Sequence, residues 1–224
     1  MVEFEQFLYR FLSWYNIQNN AQNHDLIEVE CTTTHLVTPS LLEILFTSTF
    51  CLAYVNLKEK ITEFPDFPTR GILFRDISPL LKDPDAISFI ADEFAKRYNA
   101  NDLDLLAGIE SRGFPLACAL ALKYKKGMIM IRKQGKLPGK TEKLSYSIEY
   151  GSATMEIQSN AVKNGQKILI CDDLLATGGT AKAAASLVEK IGGKVTGFAF
   201  IVELSDLKGS ELIKNYRSES LVKY

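Results

Sequence analysis

Short apolar runs alternate with helix-like segments through most of the chain, and this alternation is the strongest constraint on how it folds. The runs are short enough to be buried strands, and they lie at 103–109, 128–131, 167–171 and 195–202. Segments with helical spacing or composition lie between or before them, at 87–98, 114–123 and 180–191. Such alternation favours a parallel sheet with helices on both faces. The sequence therefore predicts an α/β fold, a three-layer parallel sheet flanked by helices.

The composition changes near residue 55. The chain has 19 lysines and 14 glycines, and none of either precedes Lys58. Both histidines and the only tryptophan lie in residues 1–54, which also hold six acidic side chains and one basic one. We therefore predict that 55–224 is the folded domain and that 1–54 is an N-terminal extension, either disordered or a mis-assigned start.

Val55 gives a reason for a mis-assigned start. In prokaryotic genes GUG encodes valine internally and also serves as an initiation codon that is read as methionine. Initiation at Val55 would produce a chain that begins Met-Asn-Leu-Lys-Glu-Lys. The rival interpretation is a real appendage, such as a membrane-surface or partner-binding helix around 41–55.

The cysteines and the charge distribution indicate the class of protein. Cys31, Cys51, Cys118 and Cys171 show no paired spacing, and no apolar run reaches the length of a transmembrane helix. We therefore expect reduced thiols, no zinc site and a cytoplasmic location. Residues 55–224 hold 25 basic and 21 acidic side chains. This mild excess favours an anionic small substrate, with no nucleic-acid or membrane partner.

The segment 167–180 carries most of the chemical information. Its apolar strand ends in Asp172 and Asp173, and a loop of small residues, Ala-Thr-Gly-Gly-Thr at 176–180, leads into a helix. Such a loop presents backbone N–H groups and a positive dipole end to a phosphate. Two carboxylates beside it make sense if they face ribose hydroxyls and stabilise positive charge on the sugar ring. The loop lacks the lysine of a Walker loop, and no G-x-G-x-x-G fingerprint is present.

The segment resembles the phosphoribosyl-diphosphate motif of type I phosphoribosyltransferases, and the resemblance extends over nearly all of 61–210. Further motifs narrow it to the adenine branch of that family: Phe-Pro-Asp-Phe-Pro at 64–68, Gly-Ile-Leu-Phe-Arg-Asp-Ile-Ser-Pro at 71–79, Glu-Ser-Arg-Gly-Phe at 110–114, Arg-Lys-Gln-Gly-Lys-Leu-Pro-Gly at 132–139, Tyr-Ser-Ile-Glu-Tyr-Gly at 146–151, Val-Glu-Leu at 202–204 and Leu-Lys-Gly at 207–209. The resemblance implies that 55–224 is a phosphoribosyltransferase domain with a small hood built from 61–79 and parts near the C-terminus. It also implies purine salvage, in which adenine and phosphoribosyl diphosphate yield AMP and diphosphate, and a homodimer.

The resemblance also assigns residues to the site. It implies that Glu149, Asp172 and Asp173 are catalytic, with Glu149 as the acid–base group at the imidazole edge of adenine. The residues implied for adenine binding are Phe74, Arg75 (through its backbone carbonyl), Glu149 and Leu204. Those implied for phosphoribosyl diphosphate are Ser111, Arg112, Arg132, Lys133, Lys136, Asp172, Asp173, Ala176, Thr177, Gly178, Gly179 and Thr180. Magnesium would bind the diphosphate without a direct protein ligand.

Two of these segments also have a physical interpretation of their own. A Ser-Arg-Gly turn after the strand at 103–109 offers backbone donors and a guanidinium fork to a diphosphate, and the resemblance implies a non-proline cis peptide there. The segment 132–147 combines five basic residues with glycines and a proline and lacks apolar periodicity. It therefore predicts a mobile cationic loop that closes over the diphosphate and excludes water, with Lys140 and Lys143 interpreted as solvated.

Three other functions remain open at this point. A phosphoribosyltransferase for 6-oxopurines would need a donor opposite the base, typically a lysine, and none stands in 72–79. A transcription regulator that senses phosphoribosyl diphosphate would carry a basic DNA-binding domain in front, whereas 1–54 is acidic and lacks lysine. A structural or interaction module would leave the density of motifs unexplained.

Overall fold

The computed structural model describes residues 55–148 and 151–224. The predictions for residues 1–54, whether disorder, a mis-assigned start or an added helix, lie outside the described residues, and so does Glu149. Within the described ranges, no helix is long and apolar enough to cross a bilayer.

Nine strands and five helices follow one another along the described ranges. The strands are β1 Thr62–Pro65, β2 Leu73–Asp76, β3 Leu105–Ile109, β4 Gly127–Lys133, β5 Thr141–Ile148, β6 Gly151–Gln158, β7 Lys167–Leu175, β8 Lys194–Glu203 and β9 Ser218–Lys223. The helices are α1 Ser78–Lys82, α2 Pro84–Arg97, α3 Gly113–Tyr124, α4 Gly179–Lys190 and α5 Gly209–Leu212. Short three-ten helices lie at Lys58–Lys60, Ala100–Asp102 and Ser205–Leu207.

Seven of the strands form one sheet in the order β5-β6-β4-β3-β7-β8-β9. The strands β4, β3, β7, β8 and β9 run parallel, whereas β6 pairs antiparallel with β4, and β5 pairs antiparallel with β6. All four apolar runs predicted as strands lie in the parallel part, as β3, β4, β7 and β8. The predicted α/β class is therefore confirmed, with an antiparallel hairpin added at one edge.

Alternate side chains of β7 pack against helices on opposite faces of the sheet. Ile168 and Ile170 lie in the core with α4, and Leu169 and Cys171 lie in the core with α2 and α3. All four side chains are fully buried. Burial on both faces explains why this strand is a continuous apolar run, and it produces the three predicted layers.

The segment 132–147 departs from its prediction as one long loop. Arg132 and Lys133 end β4 and β5 begins at Thr141, so the loop is only 134–140. β5 pairs with β6 from Thr141 opposite Gln158 to Ile148 opposite Gly151. Pairing with a neighbour satisfies the backbone groups of such a strand without a long apolar run. That pairing cannot be read from the local sequence.

A two-stranded sheet forms the hood predicted for 61–79. β1 and β2 pair antiparallel, with Phe64 opposite Phe74. The guanidinium carbon of Arg75 lies 3.9 Å from the centre of the Tyr224 ring, and the Tyr224 N–H donates to the Glu203 carbonyl at the end of β8. The C-terminal residue thus attaches the hood to the large sheet.

Candidate active site

The candidate site lies where the neighbouring strands β3 and β7 end. After β3 the chain passes through α3 to β4 on one side, and after β7 it passes through α4 to β8 on the other side. Ligands bind at the carboxyl ends of parallel strands where the chain diverges in this way. Glu110, Ser111 and Arg112 follow β3, and Asp172 and Asp173 lie near the end of β7. The fold therefore brings two of the predicted segments to one point.

Two helices begin at this point without a side-chain cap. The N-terminal cap of α3 is Arg112 and that of α4 is Gly178, and neither accepts a hydrogen bond from the first turn. By contrast, α2 is capped by Asp83, whose carboxylate accepts from the N–H groups of the next turn. Free N–H groups at the positive end of a helix dipole favour an anion. The two helices thus offer two anion sites at the ends of adjacent strands.

Close backbone approach shapes the loop 176–180, called the phosphate loop below because the resemblance assigns it to a phosphate. Gly178 has a φ of +83°, and a Cβ on it would lie 2.5 Å from the carbonyl oxygen of Gly209. A Cβ on Gly209 would in turn collide with the carbonyl oxygen of Ala176. Gly209 therefore supports the phosphate loop from the start of α5. Gly209 belongs to the Leu-Lys-Gly motif at 207–209, to which the resemblance assigns no role.

Asp172 and Asp173 form a carboxylate pair beside these helices, in which Asp173 is buried and Asp172 is half-buried. The Asp173 N–H donates to Asp172 Oδ1 over 2.9 Å. Burial raises the pKa of both carboxyls; the charge of Asp173 raises that of Asp172 further, whereas Arg112 opposes the rise at Asp173. Asp173 Oδ2 is buried and has no hydrogen-bond donor in the part of the chain that the structure describes. Asp172 is only half-buried and so can accept from a sugar hydroxyl, which fits the ribose role that the resemblance implies.

Arg112 connects three parts of the site. Its Nε lies 2.7 Å from Asp173 Oδ2, although the two groups are not aligned as a hydrogen bond. Its guanidinium carbon lies 4.9 Å from the centre of the Phe74 ring in the hood. It follows the peptide bond between Glu110 and Ser111, which is cis as the resemblance implied. Because 38% of its side chain is exposed, the guanidinium has donors to offer to a diphosphate.

Arg132 is engaged within the protein. Its Nε donates to Glu110 Oε2 over 3.1 Å, and its Nη1 donates to the Lys136 carbonyl over 3.0 Å. The Lys133 N–H donates to the same Glu110 carboxylate over 3.0 Å. Burial raises the pKa of Glu110, but these bonds outweigh it and hold the pKa below its usual value. Arg132 therefore organises the end of β4, and its contact with diphosphate stays a prediction, as do those of the exposed Lys133 and Lys136.

Three of the four residues implied for adenine are described: Phe74 and Arg75 lie in the hood, and Leu204 follows β8. The ring of Phe74 packs edge to face against Phe67, with 5.1 Å between the ring centres. Leu204 directly follows β8, and its N–H donates to the Leu175 carbonyl over 2.9 Å. The hydroxyls of Thr180 and Tyr146 lie 3.4 Å apart, which joins the phosphate loop to β5. The structure thus brings Phe74 to Arg112, and the roles of Phe74 and Leu204 toward adenine stay predictions.

The carboxylates of the site do not form a protein cage for a metal ion. In the two described ranges, no group of three or more acidic, histidine or cysteine side chains is arranged to hold one. The Asp172–Asp173 pair also has the Arg112 cation beside it. These residues fit a magnesium ion that takes most of its ligands from substrate oxygens and water.

The fold and the site together define a phosphoribosyltransferase. A family model described as the phosphoribosyl transferase domain matches residues 80–221. An adenine phosphoribosyltransferase of Nitrosopumilus maritimus (strain SCM1) is 64% identical over 170 residues, which are 76% of this chain and 100% of that protein. The chain therefore belongs to the adenine phosphoribosyltransferase family.

Solved structures of the family have the same fold. The crystal structure of adenine phosphoribosyltransferase from Thermoanaerobacter pseudethanolicus is similar with a TM-score of 0.73 and 43% identity, over 75% of this chain and 98% of that one. The enzyme of Saccharomyces cerevisiae, complexed with D-2,5-dideoxy-2,5-imino-altritol 1,6-bisphosphate and adenine, is similar with a TM-score of 0.70 and 38% identity, over 74% and 96%.

Proposed function

We propose that this pentosyltransferase joins adenine to phosphoribosyl diphosphate and releases AMP and diphosphate, a reaction of purine salvage. The observation that carries the proposal is the pair of uncapped helices with two carboxylates beside them. A ribose with a diphosphate at one end and a phosphate at the other would place one anion at each helix and its hydroxyls at the carboxylates. The family of the chain supports adenine as the base, and the adenine bound to the Saccharomyces cerevisiae relative agrees with it.

The carboxylates and Arg112 act on opposite charges of the transition state. As diphosphate leaves, positive charge grows on the ribose ring, where Asp172 and Asp173 stabilise it. Burial places both carboxyls in a surrounding of low dielectric constant, where their interaction with that charge is stronger than in water. Arg112 and the N-terminus of α3 hold the diphosphate as negative charge grows on it. These groups are in place before reaction, so little reorganisation is needed.

Glu149 is proposed to hold the proton on the imidazole edge of adenine. One ring nitrogen attacks the sugar, and a carboxyl group at the opposite nitrogen selects the tautomer in which the attacking nitrogen has a free lone pair. The support is the resemblance of the Tyr-Ser-Ile-Glu-Tyr-Gly motif at 146–151 to that of the family.

Magnesium is proposed as the ion of the reaction, bound to the diphosphate. When bound, it neutralises charge on the leaving group. The support is the chemistry of the substrate, because the paired oxygens of a diphosphate suit magnesium.

The proposed location is the cytoplasm, and the proposed domain is 55–224. The thiols of Cys118 and Cys171 are free, which suits a reducing compartment. The 170 residues shared with the Nitrosopumilus maritimus enzyme cover all of that protein, which supports 55–224 as the catalytic unit. The start hypothesis for 1–54 stays a prediction.

The proposed assembly is a homodimer that uses the α3 side of the sheet. Leu122 is 77% exposed and Met130 is 43% exposed, which is unusual for large apolar side chains. Met128 packs into the core on the α3 side, so Met130, two residues further along β4, faces the same side. A second copy would cover both and would lie next to Arg132, which the resemblance assigns to phosphoribosyl diphosphate.

A charge at this surface tests the dimer. We expect Leu122→Glu to shift the mass measured by light scattering from that of two chains to that of one, because an ionised carboxylate cannot be buried unpaired. Leu212→Glu is the matched control, since Leu212 is also an exposed leucine, 44% exposed, but lies on α5. A Leu122→Glu variant that keeps the mass of two chains would contradict the proposed interface.

Adenine is expected to exceed hypoxanthine by at least about a hundredfold in kcat/KM, since a misplaced donor or acceptor leaves buried polar groups unpaired. The exocyclic amine of adenine requires an acceptor, for which the Arg75 carbonyl is proposed. The measurement compares both bases with saturating phosphoribosyl diphosphate and magnesium. Comparable values for the two bases would assign the chain to the 6-oxopurine enzymes instead.

A further inference from the structure

Glu156 on β6 is the most deeply buried charged residue of the described chain, with 1% of its surface exposed. It lies opposite Arg132 on β4 and opposite Lys143 on β5. Neither cation pairs with it at short range, because Arg132 binds Glu110 and the Lys143 Nζ is 3.9 Å away. A buried charge requires hydrogen bonds that offset its desolvation. Its partners therefore indicate why it is there.

Those partners belong mostly to the loop 134–140. Oε1 of Glu156 accepts from the N–H groups of both Lys136 and Leu137 over 2.9 Å. Oε2 accepts from the Thr141 hydroxyl over 3.2 Å. Burial raises the pKa of Glu156, but the backbone and hydroxyl donors outweigh it and lower the pKa below its usual value. The group is therefore an ionised carboxylate at neutral pH, bonded to the backbone of the loop.

The backbone of Lys136 is held from two sides. Its N–H donates to Glu156, and its carbonyl accepts from Arg132 Nη1 over 3.0 Å. Arg132 is in turn bonded to Glu110, which directly follows β3 and precedes the Ser-Arg-Gly turn. A continuous chain of hydrogen bonds thus runs from Glu110 to Glu156. The side chain of Lys136 itself is exposed, so the direction of its backbone decides where its ammonium group lies.

We propose that Glu156 is a positioning residue for the diphosphate: it fixes the backbone at Lys136 and Leu137 so that the Lys136 ammonium is directed at the leaving group. The proposal rests on the proposed function, which supplies the diphosphate. Glu156 does not touch the substrate and acts through Lys136. Without it, two backbone N–H groups lose their acceptor and the loop loses its attachment to β6.

Substitution of Glu156 tests the role by separating the two substrates. We expect Glu156→Ala to raise KM for phosphoribosyl diphosphate about tenfold or more, since hydrogen bonds to a charged group are the stronger class, with KM for adenine unchanged. Glu156→Gln keeps one acceptor oxygen and removes the charge, so a smaller rise in the same KM is expected. Glu142→Gln is the matched control, because Glu142 lies on the same hairpin but pairs with Lys190 over 2.9 Å. Equal changes in both KM values would overturn the proposal.

A double-mutant cycle tests whether the effect passes through Lys136. In a Lys136→Ala background, Glu156→Gln is expected to change KM for phosphoribosyl diphosphate less than about twofold, because the group that it positions is already gone. If the two substitutions multiply in full, Glu156 acts independently of Lys136 and the proposal is wrong.

Limited trypsin digestion gives a readout that does not depend on activity. The bond between Lys136 and Leu137 is a trypsin site. The N–H groups of both residues donate to Glu156. We expect faster cleavage there in Glu156→Gln than in wild type or Glu142→Gln, and an unchanged rate would overturn the proposal. Faster cleavage in Glu156→Gln together with a wild-type protein that does not convert adenine would overturn the proposed function and support the attachment by Glu156.

Discussion

Replacing Asp172 and Asp173 together by asparagine is expected to lower kcat by at least about a thousandfold. One preorganised electrostatic contact to developing charge contributes about 2–4 kcal/mol, and asparagine keeps the shape of the side chain without its charge. The measurement is kcat with both substrates saturating. Near wild-type turnover in the double variant would show that the pair does not act on the ribose.

Asp104→Asn is the matched control for this variant. Asp104 Oδ2 accepts from the Lys167 N–H over 2.7 Å at the opposite end of β7. Asp104 therefore contacts the same strand but lies away from the site. Unchanged turnover in this control would show that the loss in the double variant arises at the carboxyl end of the sheet.

The thermal stability of the double variant separates a catalytic from a structural role. The pKa of both carboxyls is raised in the folded state, so their ionised forms destabilise the fold at neutral pH. That destabilisation fades as the pH falls through the raised pKa, because the protonated groups are uncharged like asparagine. The double variant should therefore match or exceed the wild-type Tm at neutral pH, and the difference should shrink toward about pH 4. A large loss of stability at neutral pH would instead make the pair part of the framework.

Replacing Glu149 by leucine is expected to lower kcat about a hundredfold or more, the usual contribution of a positioned acid–base group. Leucine cannot hold the proton on the base. The residues proposed for phosphoribosyl diphosphate lie on β7, at the starts of α3 and α4, at the end of β4 and in the loop 134–140, and none of them is changed. The measurements are kcat and the Kd for phosphoribosyl diphosphate, determined by calorimetry without adenine. We expect that Kd to change little.

Glu142→Leu is the control for this prediction. Glu142 lies on β5 in the same hairpin sequence and pairs with Lys190 away from the site, so turnover should not depend on it. If Glu149→Leu weakens the binding of phosphoribosyl diphosphate but leaves kcat unchanged, Glu149 positions that substrate and the acid–base role is wrong.

The structure brings motif residues together where two motifs lie at the ends of neighbouring strands. The Ser-Arg-Gly turn follows β3 and the two aspartates lie near the end of β7, and these strands are adjacent and parallel. That adjacency places Arg112 beside Asp173. The contacts of Arg132 were harder to predict, because they depend on Glu110, which lies 22 residues away along the chain. A pattern within one segment contains no information on such a partner.

By itself, the sequence determined the α/β class, the four apolar strands of the parallel sheet and the turn of small residues at 176–180. These features depend on burial pattern and turn chemistry within a few residues. Only the tertiary structure decided that 141–148 is a strand, that Gly209 supports the phosphate loop and that Glu156 holds the loop at Lys136. The physical reason is that each depends on backbone groups of a distant segment. The amides bound by Glu156 lie 19 and 20 residues before it, and the pairing of β6 with both β4 and β5 brings them within reach.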